Sequence, residues 1–510
     1  MRSPMLVRPP APRLLKLLAG ALALNLMAAC SVGPHYTRPE SPLPEQFDQS
    51  LPEQQAVRSE AVSSAMWSDL GGPELQTLLA RALSANTQIE QATARLAETR
   101  ALSGLTVYSL FPTVTAGADA ERSGSSPADP FAFPDQANTE RYRVGFDMQW
   151  EIDLFGSLRN QSDAIFRRLA ADQAHQRAVQ IAIIAETAQA WYAWRGAEQQ
   201  MVLLDRQIER KQQQQALLEK TLRAGRSNAL DSARAELELS RLLAERPNIE
   251  LQRIRQEQRL AVLTAWPVAQ LRQHLSTQSD WTLPALSKLG EPRDWLLRRP
   301  DISAAERHLA AAYSDVGYET AQYFPILNLI GDFGWTAQSF GALGGGDSQR
   351  WSFGPSLSWR FLDFGRVKQQ VKAAEARAQG AQALYQETVL KALEETENAL
   401  AQWRAVNQRA ARLQRAERLA AEAERLAELR YQAGADSLFE LLDAQHQRIS
   451  AESETLQAKV DQATALVALY KALAGDFAER SPTDAAVNPS AGQTNDALNN
   501  QSTESTDSRS

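Results

Sequence analysis

The chain has 510 residues, 23% of them charged, and a formal net charge of -7. That balance presents no basic surface to nucleic acid, and beyond the N-terminus no run of eighteen apolar residues is long enough for a helical membrane span. One cysteine rules out a disulfide within the chain.

Residues 1–29 read as a secretion signal, with Arg2, Arg8, Arg13 and Lys16 ahead of the apolar stretch LLAGALALNLMAA. That stretch runs into Cys30, the lone cysteine, and the small residues Ala28 and Ala29 before it fit a bacterial lipobox. Met27 stands where that pattern more often has Leu. Cys30 is therefore the expected lipidation site, carrying N-acyl and S-diacylglycerol groups, and Ser31 after it favours sorting to the outer membrane. The alternative is ordinary signal cleavage nearby, which leaves a free thiol. Residues 30–66, rich in Pro, Glu and Ser, are predicted to form an extended arm.

From there one order of elements occurs twice, over 67–267 and 295–478, with a linker at 268–294. A single shift places Trp150 on Trp359, Phe155 on Phe364, Gly156 on Gly365 and Ala224-Gly225 on Ala433-Gly434. Upstream a slightly larger shift places Leu96 on Leu309 and Phe111-Pro112 on Phe324-Pro325. A period of about 200 residues is too long for a solenoid, so the chain has two similar halves. Each half is predicted to hold a helix, a strand after Phe-Pro, a loop, a second strand, and two long helices.

The second strands are the informative ones. In YRVGFDMQWEIDLFG (142–156), Tyr142, Val144, Phe146, Met148, Trp150 and Ile152 share one face, while Arg143, Asp147, Gln149 and Glu151 share the other. An aromatic-rich apolar face about ten residues long is the pattern of a strand that crosses a membrane, greasy outside and wet inside. WSFGPSLSWRFLDFG (351–365) is its counterpart. The first strands, near 113–121 and 326–335, alternate less cleanly, though Leu327, Leu329, Phe333 and Trp335 share a face. Helices are predicted at 157–223, 228–265, 366–432 and 437–474, Ala-rich with apolar residues at helical spacing. A helix of that length reaches about 100 Å, so membrane strands feeding such helices point to a conduit. A purely structural coiled coil is the alternative. The tail, 479–510, is Ser-, Asn- and Thr-rich and predicted to be disordered.

Four membrane strands cannot close, because membrane barrels start at about eight and an open edge in lipid is very costly. The chain must pool strands with copies of itself. Two copies give a barrel filled by its own side chains; three give twelve strands and a pore.

No catalytic constellation is visible, and the expectation is that the chain is not an enzyme. His35, His175, His274, His308 and His446 are scattered without metal-ligand spacing. Gly344-Gly345-Gly346 is not a phosphate loop, since no Lys-Ser/Thr follows. Met66, Met148 and Met201 are too dispersed for a soft-metal relay. The turn between the last two long helices is more informative. Gly434 is a natural helix terminator, and Ser437 with Glu440 fits a capping box. Phe439, Glu440 and Asp443 project to roughly one side of the helix that follows. The internal shift sets Leu230, Asp231 and Arg234 against Phe439, Glu440 and Asp443. Opposite charges at equivalent sites suggest a polar lock between hairpins, Arg234 with Asp443 or Arg226 with Asp436. The plainer alternative makes Glu440 a cap and Asp443 a solvated helix charge.

Long ordered stretches then carry a family resemblance. They are Cys30-Ser31-Val32-Gly33-Pro34 with Tyr36 and Arg38-Pro39, LQTLLARALSANTQIEQATARLAETR from Leu75, RRPDISAAERHLAAAYSDVGYETAQYFP at 298–325 and RYQAGADSLFELLDAQ at 430–445. Together they resemble the TolC family of outer-membrane efflux factors, in its lipoprotein (NodT-type) branch; His35 departs from the acidic residue expected there. The resemblance implies a mainly α fold with a membrane β-barrel: a homotrimer whose twelve-stranded barrel continues into a twelve-helix periplasmic α-barrel, with the 268–294 linker in an equatorial collar. It implies a passive channel in the outer membrane of a Gram-negative bacterium, lipid-anchored, that receives small molecules from an inner-membrane pump through a periplasmic adaptor. An outlet for protein or peptide secretion and a non-conducting periplasmic lipoprotein are the alternatives. The turn would lie at the closed periplasmic tip, where Asp443 and Phe439 line the constriction, Glu440 matches a position acidic in some members, and Tyr431 helps hold the closed state. Threefold symmetry would make Asp443 a ring of carboxylates, which attracts cations.

Overall fold

The computed structural model describes residues 32–40, 43–49, 67, 70–124, 126, 138–224, 228–275, 281–284 and 292–473. The signal segment, Cys30, Arg226 and the 479–510 tail lie outside the described residues. Helices α1 (Gly72–Ala85) and α2 (Thr87–Tyr108) lead into strands β1 (Thr113–Gly124) and β2 (Asn138–Ile152), then α3 (Ser157–Arg223) and α4 (Ala229–Thr264). Short helices α5 (Val268–His274) and α6 (Pro292–Leu296) link to α7 (Pro300–Ala321), β3 (Ile326–Ala337), β4 (Gln349–Ser358), α8 (Arg366–Gln432) and α9 (Leu438–Ala472). The four long helices start and stop within two residues of the predicted bounds.

The helix predicted ahead of the first strand is two helices. Asn86 breaks it: its Oδ1 accepts from the N–H of Gln88 at 2.9 Å, which caps α2, while its Nδ2 donates to the Leu263 carbonyl at 3.0 Å. A short polar side chain offering the backbone an alternative partner ends one helix and starts the next.

The strands form one antiparallel sheet in the order β1-β2-β3-β4, with β1 and β4 as edges. Its register sets Val144 against Trp335, Phe146 against Phe333, Trp150 against Leu329, and Phe333 in turn against Trp351. Phe146, Phe333, Trp351, Phe353 and Leu357 are all exposed on the isolated chain. The other face carries Asp119 opposite Arg143, and Asp332, which pairs with Arg350 and accepts from Ser352. One face is therefore suited to hydrocarbon and the other to water, as in a membrane barrel wall. Gly145 and Gly334 face each other where β2 and β3 approach most closely; a Cβ on Gly334 would lie 2.3 Å from the Val144 carbonyl oxygen.

β2 and β4 stop short of the Phe-Gly corners predicted to end them. The intervening residues turn to start the long helices. The Asp153 carboxylate accepts from the backbone N–H of Arg159 at 2.9 Å, and that of Asp363 from Gly365 and Val367 at 3.0 and 2.7 Å. Those backbone donors, Val367 foremost, hold the Asp363 carboxyl below its ordinary value. The duplication is visible here in matched hydrogen bonds. The Trp150 indole donates to the Leu110 carbonyl at 2.9 Å, and the Trp359 indole to that of Tyr323 at 3.0 Å. Each Trp rivets the corner entering the sheet to the corner leaving it. Phe155 stacks on Phe324 at 4.7 Å between centroids, and Phe361 and Phe364, at the second corner, are exposed, with Phe361 6.1 Å from Trp359. Aromatics gathered at one level are the mark of a membrane interface.

Midway along α3 the helices thicken into a collar. Trp191, Tyr192 and Trp281 meet edge to face with centroids 4.9–6.4 Å apart, and Trp67 meets Tyr470 at 5.9 Å. Leu271 and Trp281, from the predicted linker, pack with Leu469 and Leu473 at the end of α9 in the same core. Away from the collar the helices touch through alanines such as Ala164, Ala171, Ala374 and Ala458, all buried, and small side chains let long helices run close together.

Arg299 fastens the collar. Its buried guanidinium donates to the Ala472 carbonyl at 2.6 Å, satisfying an orphan acceptor at the end of α9. It also pairs with Asp301 at 2.8 Å and Glu395 at 2.6 Å. Burial raises the Glu395 carboxyl, but Arg299 and Lys471 outweigh it and hold the group below its ordinary value. A carboxyl lowered on folding stabilises above its unfolded pKa and loses that contribution as pH falls through the folded value. Arg299→Ala should cost about 3 kcal/mol, measured by thermal unfolding at pH 7, and should flatten the wild-type loss of stability below pH ~4.5; an unchanged acid profile would contradict the role of this pair.

Candidate functional site: the tip of the helical hairpins

The α8–α9 turn is built from the backbone outward. Gly434 sits at φ 73°, the left-handed region that only glycine enters freely. The Ala435 N–H donates to the Arg430 carbonyl at 2.8 Å and the Gly434 N–H to that of Tyr431 at 3.0 Å, the paired bonds of a Schellman terminus. Across the same turn Arg430 clamps Asp436 with two hydrogen bonds, of 2.6 and 2.8 Å. The guanidinium hydrogen bonds hold the Asp436 carboxyl below its ordinary value. The predicted capping box does not form: Ser437 occupies the N-cap position of α9 but makes no side-chain cap hydrogen bond. The Arg430–Asp436 fork holds the turn in its place. In the first hairpin the cap is real, since Asn228 accepts from the Asp231 N–H at 2.9 Å.

Phe439, Glu440 and Asp443 are all exposed on α9. Among the described residues neither carboxylate has an ion-pair partner within the chain. Arg234 does not pair with Asp443; its guanidinium lies 5.0 Å over the Phe439 ring. Asp436 is engaged by Arg430, and Arg226, its alternative partner, is outside the described residues. Near the tip the hairpins are thus joined within one chain by a cation–π contact, and about two turns further along α9 by His446, 3.4 Å from the Glu238 carboxylate. The predicted Arg234–Asp443 pair does not form; Arg234 meets Phe439, which stands four residues closer to the turn. Tyr431 faces α3 across a cavity between the hairpins. The residues missed in the sequence are Arg430, Glu238 and His446; only Arg430, six before Asp436 across a glycine turn, carried a readable signal. Among the described residues no cluster of three His, Cys, Asp or Glu is placed to hold a metal ion, and no helix is long and apolar enough to cross a membrane.

A profile of the outer membrane efflux protein family matches residues 78–265 and 292–475, the two halves of the duplication. The chain belongs to the outer membrane efflux protein family. Among relatives, it is 30% identical to the outer membrane protein OprJ of Pseudomonas aeruginosa over 466 residues, 90% of this chain and 95% of OprJ. It is 28% identical to the cation efflux system protein CusC of Escherichia coli K12 over 464 residues, 90% of this chain and 99% of CusC. Among solved structures, the outer-membrane channel OprN superposes with a TM-score of 0.80 at 33% identity, covering 88% of this chain and all of OprN. The open state of the MtrE channel of Neisseria gonorrhoeae superposes at 0.77 with 27% identity, covering 88% of this chain and 99% of MtrE. This member of the family is an outer-membrane efflux channel with the TolC-like fold.

Gly434→Val should force a β-branched residue into the left-handed region at a cost of about 1–2 kcal/mol. Hydrogen exchange over residues 425–445 should speed up in that variant while the collar stays protected. Unchanged exchange at the turn would contradict the termination described here.

Proposed function

We propose that three copies of the chain form the conduit and that its resting state is closed at the hairpin tips by Phe439, Arg234 and the free carboxylates of Glu440 and Asp443. The observation that supports it best is the exposed Phe439 beside two carboxylates without partners among the described residues, at the end of the helices farthest from the sheet. A threefold axis through such tips gathers three rings and at least three Asp443 carboxylates into one constriction. Crowded carboxylates favour cations in the pore mouth, and the rings narrow it. The Arg234–Phe439 contact ties the gate to the first hairpin, so opening requires the hairpins to part.

The gate has no energy source of its own in the residues described. A periplasmic adaptor that docks on the hairpins and an inner-membrane pump that drives small-molecule substrates supply the remainder of a tripartite system. Cys30 is the lipid attachment point. Val32, two residues on, donates to the Phe155 carbonyl at 3.2 Å and accepts from Asn160 at 3.1 Å, which pins the arm at the aromatic corner on the membrane side of α3.

In planar bilayers, Phe439→Ala and Arg234→Ala should each raise the resting single-channel conductance several-fold, and Asp443→Asn should lower the preference for cations. Conductance and selectivity unchanged in all three would place the gate elsewhere. Cys30→Ser should abolish incorporation of an alkynyl palmitate in growing cells; retained labelling would overturn the anchor.

A further inference from the structure

About twelve residues above the end of α3 the two hairpins part around a cavity of ≈ 510 Å³, a volume in the range of small-molecule sites. One wall is α3 and the other is α8 with the start of α9. Gln207 and Lys211 lie on the α3 wall, four residues apart and so on one face of the helix, and both are 4% exposed. The Gln207 amide nitrogen is buried with no hydrogen-bond partner. The Lys211 ammonium has one long contact, 3.4 Å to the Gln214 amide oxygen. Such groups are costly to bury unspent. Burial pushes the Lys211 amine below its ordinary value, against the pull of Glu238 and Glu424.

The acids on the cavity wall are, by contrast, engaged. Glu424 lies 3.9 Å from Arg448, and Glu428 accepts from Gln432 at 3.3 Å. Arg210 stands exposed at the rim with no ion pair among the described residues. The buried side-chain atom of the lining left without a partner among the described residues, Gln207 Nε2, is a donor, and the Lys211 ammonium beside it is under-used. An apolar strip of the wall comes from Leu218, Leu441 and Ile449, set among glutamines.

We propose that this cavity binds a small anionic amphiphile, an alkyl or aryl carboxylate. Its carboxylate sits between Lys211 and Gln207, and its apolar body lies against Leu218, Leu441 and Ile449. A molecule held there touches both hairpins at once, so it fixes their separation without entering the gate. Of the residues assigned to the gate only Tyr431 lines the cavity; Phe439, Glu440, Asp443 and Arg234 do not.

The test uses the full chain purified into lipid nanodiscs, with ¹⁹F NMR line broadening of 4-fluorobenzoate as the readout. Two probes of like shape serve as controls, neutral 4-fluorobenzyl alcohol and cationic 4-fluorobenzylamine. The benzoate should broaden in a saturable way, and the alcohol and the amine should do so at least tenfold more weakly. Lys211→Met and Gln207→Leu should each weaken benzoate binding at least tenfold, whereas Asp443→Asn should leave it unchanged. If Lys211→Met does not assemble, Gln207→Leu, which only removes a buried amide, decides alone. No saturable broadening with benzoate, equal broadening by the alcohol, preference for the amine, or insensitivity to Gln207→Leu would each overturn the proposal. Because Asp443→Asn alters the gate and leaves the cavity intact, loss of one reading is distinguishable from loss of the other.

Discussion

A backbone amide or carbonyl that faces hydrocarbon must be hydrogen-bonded, because lipid offers no substitute partner. That constraint governs this chain. Its sheet has four strands with an aromatic outer face and two unpaired edges, β1 and β4. In water such edges are a hazard for aggregation; in a membrane they are untenable. The chain completes its fold only when β4 of one copy meets β1 of the next, and the pore therefore belongs to the assembly. Everything below the membrane inherits the symmetry fixed by that pairing.

The inheritance runs through stiff parts. Trp150 and Trp359 couple the strands to the helix corners by the same hydrogen bond in each half. Two helices of 67 residues carry the geometry away from the membrane, and buried alanines keep their partners close. The collar, with its aromatic core and Arg299, braces the helices about midway. Below it the two halves diverge. The first hairpin is closed by an asparagine cap and carries Arg234, while the second is closed by a Schellman turn with an Arg430–Asp436 fork and carries Phe439 and Asp443. A duplicated wall thus ends in unlike tips, and the unlike tips are what can engage each other.

Much of this was legible in the sequence because it depends on periodicity and composition. The alternation from Tyr142 to Ile152 fixes a face in every strand it pairs with, and Ala-rich runs, interrupted by proline only at Pro247 in α4, fix long helices to within two residues. The Gly434 terminus was legible because only a glycine suits a left-handed backbone at that point. What escaped depends on competition between side chains for partners. Asn86 can cap a helix or sit within one, and only its reach to the Leu263 carbonyl decides. Ser437 has the capping-box spacing, but Asp436 beside it is already held by Arg430. Arg234 was matched to Asp443 by the repeat, yet its guanidinium lies over the ring of Phe439. Gln207 and Lys211 gave no signal, since their meaning comes from the opposite helix wall.

Open sheet edges make the channel an assembly of three. Native mass spectrometry of the protein released from lipid nanodiscs, with the chain's own mass as reference, tests it most directly. A single species of three chains that survives until the barrel itself denatures is the expected result. A stable monomer, a dimer or a tetramer would contradict it.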